Sequence, residues 1–373
     1  MRIAIDAREL LGRPTGVGRY LAELLARWTR DPAARDAELR LISPRPLDGA
    51  SPWAGEGGAR LVVDHVPGRP GTWWEQTALP AAARRAGAHV LFAPAYEGPL
   101  FARAPLVVSV HDVSFFAHPE WFSPREGLRR RVLTRASARR ARAVLTLTEF
   151  SRREIVRHLG VDARKVRVIP PAVDAHAAFG AASGGAQAGA ERREPLVLYA
   201  GSLFNRRHVP ELIAGFATLA RERADVRLAL VGDNRTRPPV DVEAVARGHG
   251  VAGRVSWRAY VPDDELASLY RRASAFAFLS EYEGFGLTPL EALRAGVPGV
   301  VLDTEVAREA YGGAALFVRI DDGPTALGNA LRALLDAGET RDAILAEGVK
   351  VLARYSWDRA ARDTWRALAE AAD

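Results

Sequence analysis

Residues 280–299 read S-E-Y-E-G-F-G-L-T-P-L-E-A-L-R-A-G-V-P-G, and the reading of this stretch decides the fold. The residues just before it, 275–279, form an uninterrupted apolar run, as expected of a strand buried on both faces of a parallel sheet. That strand delivers the chain to Glu281, Glu283 and a G-F-G turn, after which Pro289 suits the opening of a helix carrying Glu291 and Leu293. Open α/β sheets place their ligands at such strand-to-helix mouths. Gly284 and Gly286 permit close backbone approach, and the helix start offers unpaired N–H groups to an anion. With carboxylates on either side of the turn, the stretch points to a ligand bearing both a phosphate and hydroxyls.

Working outward, the same alternation of apolar run and amphipathic segment fills the chain. Strands are expected within 3–6, 39–43, 60–64, 88–94, 105–112, 143–148 and 166–170, and again within 195–201, 226–233, 254–260, 297–303 and 315–320. Residues 11–18, L-G-R-P-T-G-V-G, read as a glycine loop with Gly16 and Gly18 before an amphipathic helix starting near Arg19. The loop is long and lacks the full G-x-G-x-x-G spacing of a dinucleotide fingerprint. His111 and Asp112 close a central strand, where a histidine can meet substrate. The glycine- and alanine-rich stretch 179–194 reads as a linker. The expected organisation is an N-terminal domain over 1–178, that linker, a ligand-binding domain over 195–355, and a helix over 356–373 packing back toward the N-terminal domain.

The 373 residues exceed one ordinary core, and two domains of roughly 150 to 200 residues are the natural division. The absence of cysteine removes disulfides, thiolate nucleophiles and cysteine metal sites from consideration. Neither a signal-peptide core nor a membrane-length apolar stretch is present in the sequence, so a cytoplasmic location is expected. The net charge of +7 is uneven: residues 1–180 hold 28 basic against 18 acidic side chains, and the remainder is slightly acidic. Much of the excess lies in a basic helix expected over 125–142, whose apolar Leu128, Val132 and Leu133 suit peripheral contact with an anionic membrane surface. No recognition-helix motif or aromatic RNA-binding signature accompanies the charge, and no nucleic-acid partner is expected.

Taken in order, the glycine loop, His111-Asp112, G-S-L-F-N-R-R-H at 201–208 and E-G-F-G-L-T-P-L-E at 283–291 resemble the motifs of family-4-type (GT4) glycosyltransferases, over essentially the whole chain. The resemblance implies the GT-B architecture: two Rossmann-like parallel-sheet α/β domains facing across a cleft, usually retaining, with a nucleotide-sugar donor as substrate and neither metal nor other cofactor. It implies that Glu283 contacts hydroxyls of the transferred sugar, that Glu291 holds the donor ribose, and that the amides of Leu287 and Thr288 meet the diphosphate behind the Gly284-Phe285-Gly286 turn. Arg206 and Arg207 match a basic pair that neutralises donor phosphates; Arg207 stands where the family often has lysine. By the same resemblance Gly201 allows close approach to the phosphates, His111 lies near the reacting sugar, and Gly16 and Gly18 border the phosphates and the acceptor. His208 and Glu281 are expected to be supporting and rim residues.

The implied reaction is hexosyl transfer from a nucleoside diphosphate sugar to a glycan or lipid-linked acceptor hydroxyl in surface polysaccharide synthesis. Mannose from GDP-mannose is the first expectation; the alternatives are a UDP-, ADP- or dTDP-sugar, or a nucleotide-sugar epimerase of similar architecture. One departure is visible: after Asp303 the loop leading to the next helix is shortened, with Glu305 and Glu309 as candidates to replace the customary P-E pair.

Overall fold

Every apolar run named above overlaps a strand in the computed structural model, which describes residues 1–12, 16–47, 53–173 and 193–373. The first seven are β1 (Arg2–Asp6), β2 (Glu38–Ser43), β3 (Arg60–His65), β4 (Val90–Ala93), β5 (Leu106–Ser109), β6 (Ala143–Thr146) and β7 (Val166–Val168). They form one parallel sheet in the order β3-β2-β1-β4-β5-β6-β7. The next six are β8 (Leu196–Ala200), β9 (Arg227–Val231), β10 (Val255–Arg258), β11 (Ala275–Phe278), β12 (Gly299–Leu302) and β13 (Ala315–Val318), in the order β10-β9-β8-β11-β12-β13. This sheet too is parallel throughout, and the helical crossovers cover both faces, which is why its central strands are apolar at every position. The edge strands β3 and β10 carry the polar alternation instead. Both sheets are doubly wound, with strand order reversing between β1 and β4 in the first and between β8 and β11 in the second.

The chain divides into two compact units, Met1–Pro171 with Ser356–Asp373, and Ala172–Tyr355. In the first, helix Trp357–Ala372 lies against helix Gly16–Trp28: the Trp28 indole donates to the Ala361 carbonyl at 3.0 Å, and Trp357 is buried beside Tyr20. In the second, helix Val209–Glu222 packs against helix Gly323–Leu335, where a Cβ on Gly215 would fall 2.5 Å from Leu327.

Three boundaries differ from the sequence reading. Gly16 and Gly18 sit inside the first turn of their helix, which begins three residues earlier than Arg19; glycine's low helix propensity hides such a start. The helix of the deciding stretch begins at Leu287, so Pro289 is its third residue and its missing N–H still falls among amides that have no intrahelical partner. Most of the linker at 179–194 lies outside the described residues. Its last two residues are anchored to the second unit: Arg193 donates to the Ala273 carbonyl at 2.7 Å and Glu194 pairs with Arg272 at 2.6 Å. Among the described residues no helix is long and apolar enough to cross a membrane.

Candidate active site

The reversal point of the second sheet gathers most of the expected residues. Strand β8 ends at Ala200, and the chain turns through Gly201 (φ +139°) into the short turn Asn205–Arg207, then through His208 (φ +46°) into helix Val209–Glu222. A Cβ on Gly201 would stand 2.8 Å from Arg207 Nη1, so the glycine makes room for that guanidinium. From β11 the chain emerges at Leu279 and Ser280, and the Glu281 amide donates to the Arg206 carbonyl at 3.0 Å, fastening the two mouths together.

Across this junction Arg207 donates to Glu283 Oε1 from Nε at 2.9 Å and from Nη2 at 2.7 Å, while its Nη1 donates to the Ser202 carbonyl at 2.8 Å. Ser280 Oγ donates to the same Oε1 at 2.8 Å, and Arg206 Nη2 lies 3.7 Å from it. All of the contacts to Glu283 converge on one carboxylate oxygen; Oε2 accepts no hydrogen bond from the described residues. Burial alone would raise the Glu283 carboxyl, but the adjacent Arg207 and Arg206 charges and the hydrogen bonds hold it below the usual carboxylate range. Burial likewise opposes the Arg207 charge, and Glu283 overrides it, raising its pKa. The side chains of Arg206, Arg207 and Glu283 are 13%, 12% and 16% exposed, so the pair stands in a low-dielectric place where charge on an incoming ligand is felt strongly. Arg206 also lies over the Phe204 ring, 4.5 Å from its centroid.

Beyond Glu283, Gly284 is buried, and the Phe285 side chain packs edge-on against Tyr355 at 5.0 Å. Phe285 is thus a packing residue, and only its backbone faces the turn. Gly286 (φ +83°) precedes helix Leu287–Arg294, its carbonyl accepting from Tyr311 Oη at 2.9 Å. In the first turn, Thr288 Oγ1 is buried and has no hydrogen-bond partner among the described residues. One turn on, Glu291 Oε2 accepts from Tyr270 Oη at 3.2 Å. A cavity of about 10 Å³ remains among Ser280, Glu283, Thr304, Ala307 and Tyr311, enough for about one water.

After β12, Asp303 leads straight to Thr304, whose side chain caps helix Glu305–Tyr311 at the Ala307 amide, 3.2 Å away. Asp303 pairs with Arg308 at 2.6 Å. Glu305 opens this helix, and the Glu309 carbonyl accepts from Arg354 at 3.0 Å. At the rim, Glu281 is exposed and meets His208 Nε2 at 3.1 Å. Burial lowers the His208 pKa, and Glu211 and Glu281 more than reverse this, leaving it raised.

His111, Gly16 and Gly18 belong to the first unit. His111 lies just past β5, with Nε2 2.8 Å from the Pro94 carbonyl. A carbonyl only accepts, so Nε2 carries the proton and Nδ1 keeps its lone pair. Burial lowers the pKa of this imidazole, partly countered by Pro94 and Asp112, and the ring is neutral at neutral pH. Tyr20 and Tyr96 approach it edge-on at 5.4 and 5.6 Å, so the helix opening with Gly16 and Gly18 reaches His111 through Tyr20. Asp112 is occupied by the Ser114 amide and the Tyr96 hydroxyl, both at 2.8 Å.

Sequence reasoning missed several of these groups. Tyr311, Tyr270 and Tyr96 stand in no recognisable motif, and only tertiary contact brings them to the turn, to Glu291 and to His111. It also passed over an ion-pair cluster at the exit of β1, where Arg8 bridges the buried Asp6 (2.6 Å) and Glu75 (2.5 Å). Burial raises the Glu75 carboxyl, with Arg8 opposing. The D-A-R sequence at the end of the first strand was the available signal.

The glycosyltransferase features have counterparts among known proteins. A family model described as Glycosyltransferase Family 4 matches residues 14–177, and one described as Glycosyl transferases group 1 matches 186–350. The O-antigen chain mannosyltransferase B of Escherichia coli is 29% identical over 282 residues, 72% of each chain. The D-inositol 3-phosphate glycosyltransferase of Xylanimonas cellulosilytica is 32% identical over 238 residues, 59% of this chain and 54% of that one. Among solved structures, HepE of Anabaena in complex with UDP-glucose shares the fold with a TM-score of 0.73 at 19% identity, covering 99% of this chain and 100% of that one. Between them the two family models span nearly the whole chain, and both describe glycosyltransferases, which sets aside the epimerase alternative. The chain belongs to the family 4 glycosyltransferases and has the GT-B fold.

Proposed function

We propose that this glycosyltransferase transfers a hexose, with retention of anomeric configuration, from a nucleoside diphosphate sugar to a hydroxyl of a glycan or lipid-linked glycan during surface polysaccharide synthesis. The observation that carries the reading is the Arg207–Glu283–Ser280 network at the reversal point of the second sheet. By occupying Oε1 it fixes the carboxylate and leaves Oε2 to accept from an incoming hydroxyl, as a group that recognises sugar hydroxyls must be fixed. Thr288 Oγ1 and the first amides of helix Leu287–Arg294 suit the diphosphate, and Glu291, steadied by Tyr270, suits the ribose.

In the reaction the bond between the anomeric carbon and the phosphate oxygen breaks, and its electron pair leaves with the nucleoside diphosphate. The acceptor oxygen bonds to the same face of that carbon, and its proton passes to the departing phosphate oxygen. The need is to stabilise negative charge growing on the leaving group. Arg207 commits all three of its nitrogens to Glu283 and to Ser202, so its part is to hold the carboxylate, and Arg206 is assigned to the diphosphate. His111 Nδ1, an acceptor, suits a sugar hydroxyl and not proton abstraction, given the lowered basicity of the ring.

GDP-mannose is the first donor proposed, supported by the mannosyltransferases of Escherichia coli and Salmonella typhimurium among the relatives; UDP-glucose is the second, supported by the ligand in the Anabaena structure. Calorimetric titration with GDP-, UDP-, ADP- and dTDP-sugars tests both. One or two preferred donors are expected, with affinity falling about tenfold or more in Glu291→Ala, the loss of one charge-assisted hydrogen bond. Equal binding of every donor, or no effect of Glu291→Ala, would sink the reading.

A further inference from the structure

Arg2 opens β1, Glu38 and Arg40 lie on β2, and Arg60 and Asp64 lie on β3; the register of the three strands puts all five on one face of the first sheet. A parallel sheet ordinarily buries apolar residues on both faces, so a charged face at this corner calls for a reason. Its groups are firmly held. Arg40 donates to both oxygens of Asp64 at 2.6 Å and to Glu38 at 3.0 Å, and Arg60 also pairs with Glu38. Arg2 donates from Nε to Glu38 at 3.1 Å and from Nη1 to the Ala86 carbonyl at 2.7 Å, at the end of helix Thr72–Arg85. Gly87 makes room for this guanidinium: its φ is +61°, and a Cβ there would stand 2.9 Å from Arg2 Nη1.

Arg2, Arg40 and Asp64 line an open cavity of about 510 Å³ together with His65, Ala82 and Arg85, a size within the range of small-molecule sites. Arg85 is exposed and has no side-chain partner among the described residues. The guanidiniums of Arg2, Arg40, Arg60 and Arg85 thus stand against the carboxylates of Glu38 and Asp64, which leaves two positive charges uncancelled. The end of a helix would by itself repel an anion, and Arg2 answers that dipole by occupying the Ala86 carbonyl. The cavity is separate from His111. Arg2 begins β1 and Ala86 precedes β4, whereas His111 lies past the end of β5, toward the opposite edge of the same parallel sheet.

We propose that this cavity binds a phosphorylated sugar or polyol, as a site distinct from the donor site and the reacting centre. A phosphate monoester carries close to two negative charges at neutral pH, which matches the uncancelled pair. Arg85 and Nη2 of Arg2, which makes no hydrogen bond among the described residues, are the donors for its oxygens, with His65 beside them. Asp64 decides what else the ligand carries. Both of its oxygens are fixed by Arg40, and their remaining lone pairs accept hydroxyls. A bare inorganic anion would meet that carboxylate with nothing to donate, so the lining favours an anion that also bears hydroxyls. The inference does not rest on the donor assignment, because its ligand is titrated without donor and without turnover.

The test is calorimetric titration of the full chain with glucose 6-phosphate, glycerol 3-phosphate, glucose and inorganic phosphate. Saturable binding of at least one of the two esters is expected, at one site per chain and several-fold tighter than inorganic phosphate, with no binding of glucose. Arg85→Gln removes one charge-assisted contact and should weaken ester binding about tenfold or more, while the melting temperature and nucleotide-sugar binding stay unchanged. Asp64→Asn should narrow the preference for the ester over inorganic phosphate. Arg206→Gln, at the donor site, should leave ester binding as it was. The proposal is overturned by the absence of saturable ester binding, by glucose binding equally well, or by ester binding that survives Arg85→Gln or is lost in Arg206→Gln. A preference over inorganic phosphate that is missing, or that persists in full in Asp64→Asn, overturns the assignment of a hydroxyl-bearing ligand.

Discussion

At the scale of single residues, the site turns on one oxygen. Glu283 Oε1 accepts from Arg207 twice and from Ser280 once, and this pair is largely shielded from water. Removing one member of a shielded pair leaves the other uncompensated, so Arg207→Met is expected to cost about 3–5 kcal/mol, while Arg207→Met/Glu283→Leu recovers much of the loss. Denaturant unfolding of the two singles and the double measures the coupling, and simple additivity would count against it. The pH dependence has a definite sign. The folded Glu283 carboxyl lies below its unfolded value near 4.3, so its contribution is present above that pH and is lost as pH falls through the folded value. The stability gap between the natural chain and Glu283→Gln should be constant from neutrality down to about pH 5 and shrink below. His208 runs the other way: its folded pKa is raised above about 6.5, so its contribution is complete below that pH and fades as pH rises through the folded value, a trend that His208→Gln should abolish. The sequence made Glu283, Glu291 and the arginine pair visible through their spacing. It could not reveal that Arg207 is spent on Glu283, because no pattern in the chain says which of two adjacent arginines a distant carboxylate will hold.

At the scale of the element, the deciding stretch depends on a left-handed glycine. A Cβ on Gly286 would stand 2.1 Å from the Tyr311 hydroxyl, and φ of +83° disfavours any other residue. Gly286→Ala is expected to cost about 1–3 kcal/mol and to misplace the first turn of helix Leu287–Arg294, weakening donor binding. Because the clash is with a hydroxyl, Gly286→Ala/Tyr311→Phe should regain part of the affinity, leaving only the backbone strain; calorimetry with the preferred donor would show no rescue if Tyr311 were uninvolved. The strands were legible because runs buried on both faces leave an unmistakable apolar signature, as in β8 and β11. Helix starts were less legible: Gly16 and Gly18 read as a loop and Pro289 as the opening of its helix, while an opening turn tolerates glycine and also takes proline two residues in.

For the molecule as a whole, the last helix in sequence completes the first unit. Trp357 is 6% exposed, its ring centre lies 6.1 Å from that of Tyr20, and Trp28 reaches the Ala361 carbonyl, so the helix both covers apolar surface and backs the tyrosine that abuts His111. Two units with separate cores can respond separately to damage, and ligand binding raises only the stability of the unit that holds it. Trp357→Ala should remove about 3–5 kcal/mol from the first unit. In calorimetry one transition is expected to fall, while the second transition and its upward shift on adding nucleoside diphosphate stay as they were. A conservative Trp357→Phe should restore most of the loss by refilling the space. If both transitions fell together, or the nucleotide-dependent shift vanished with Trp357, the helix would be acting on the donor unit and the division of labour between the two sheets would be wrong.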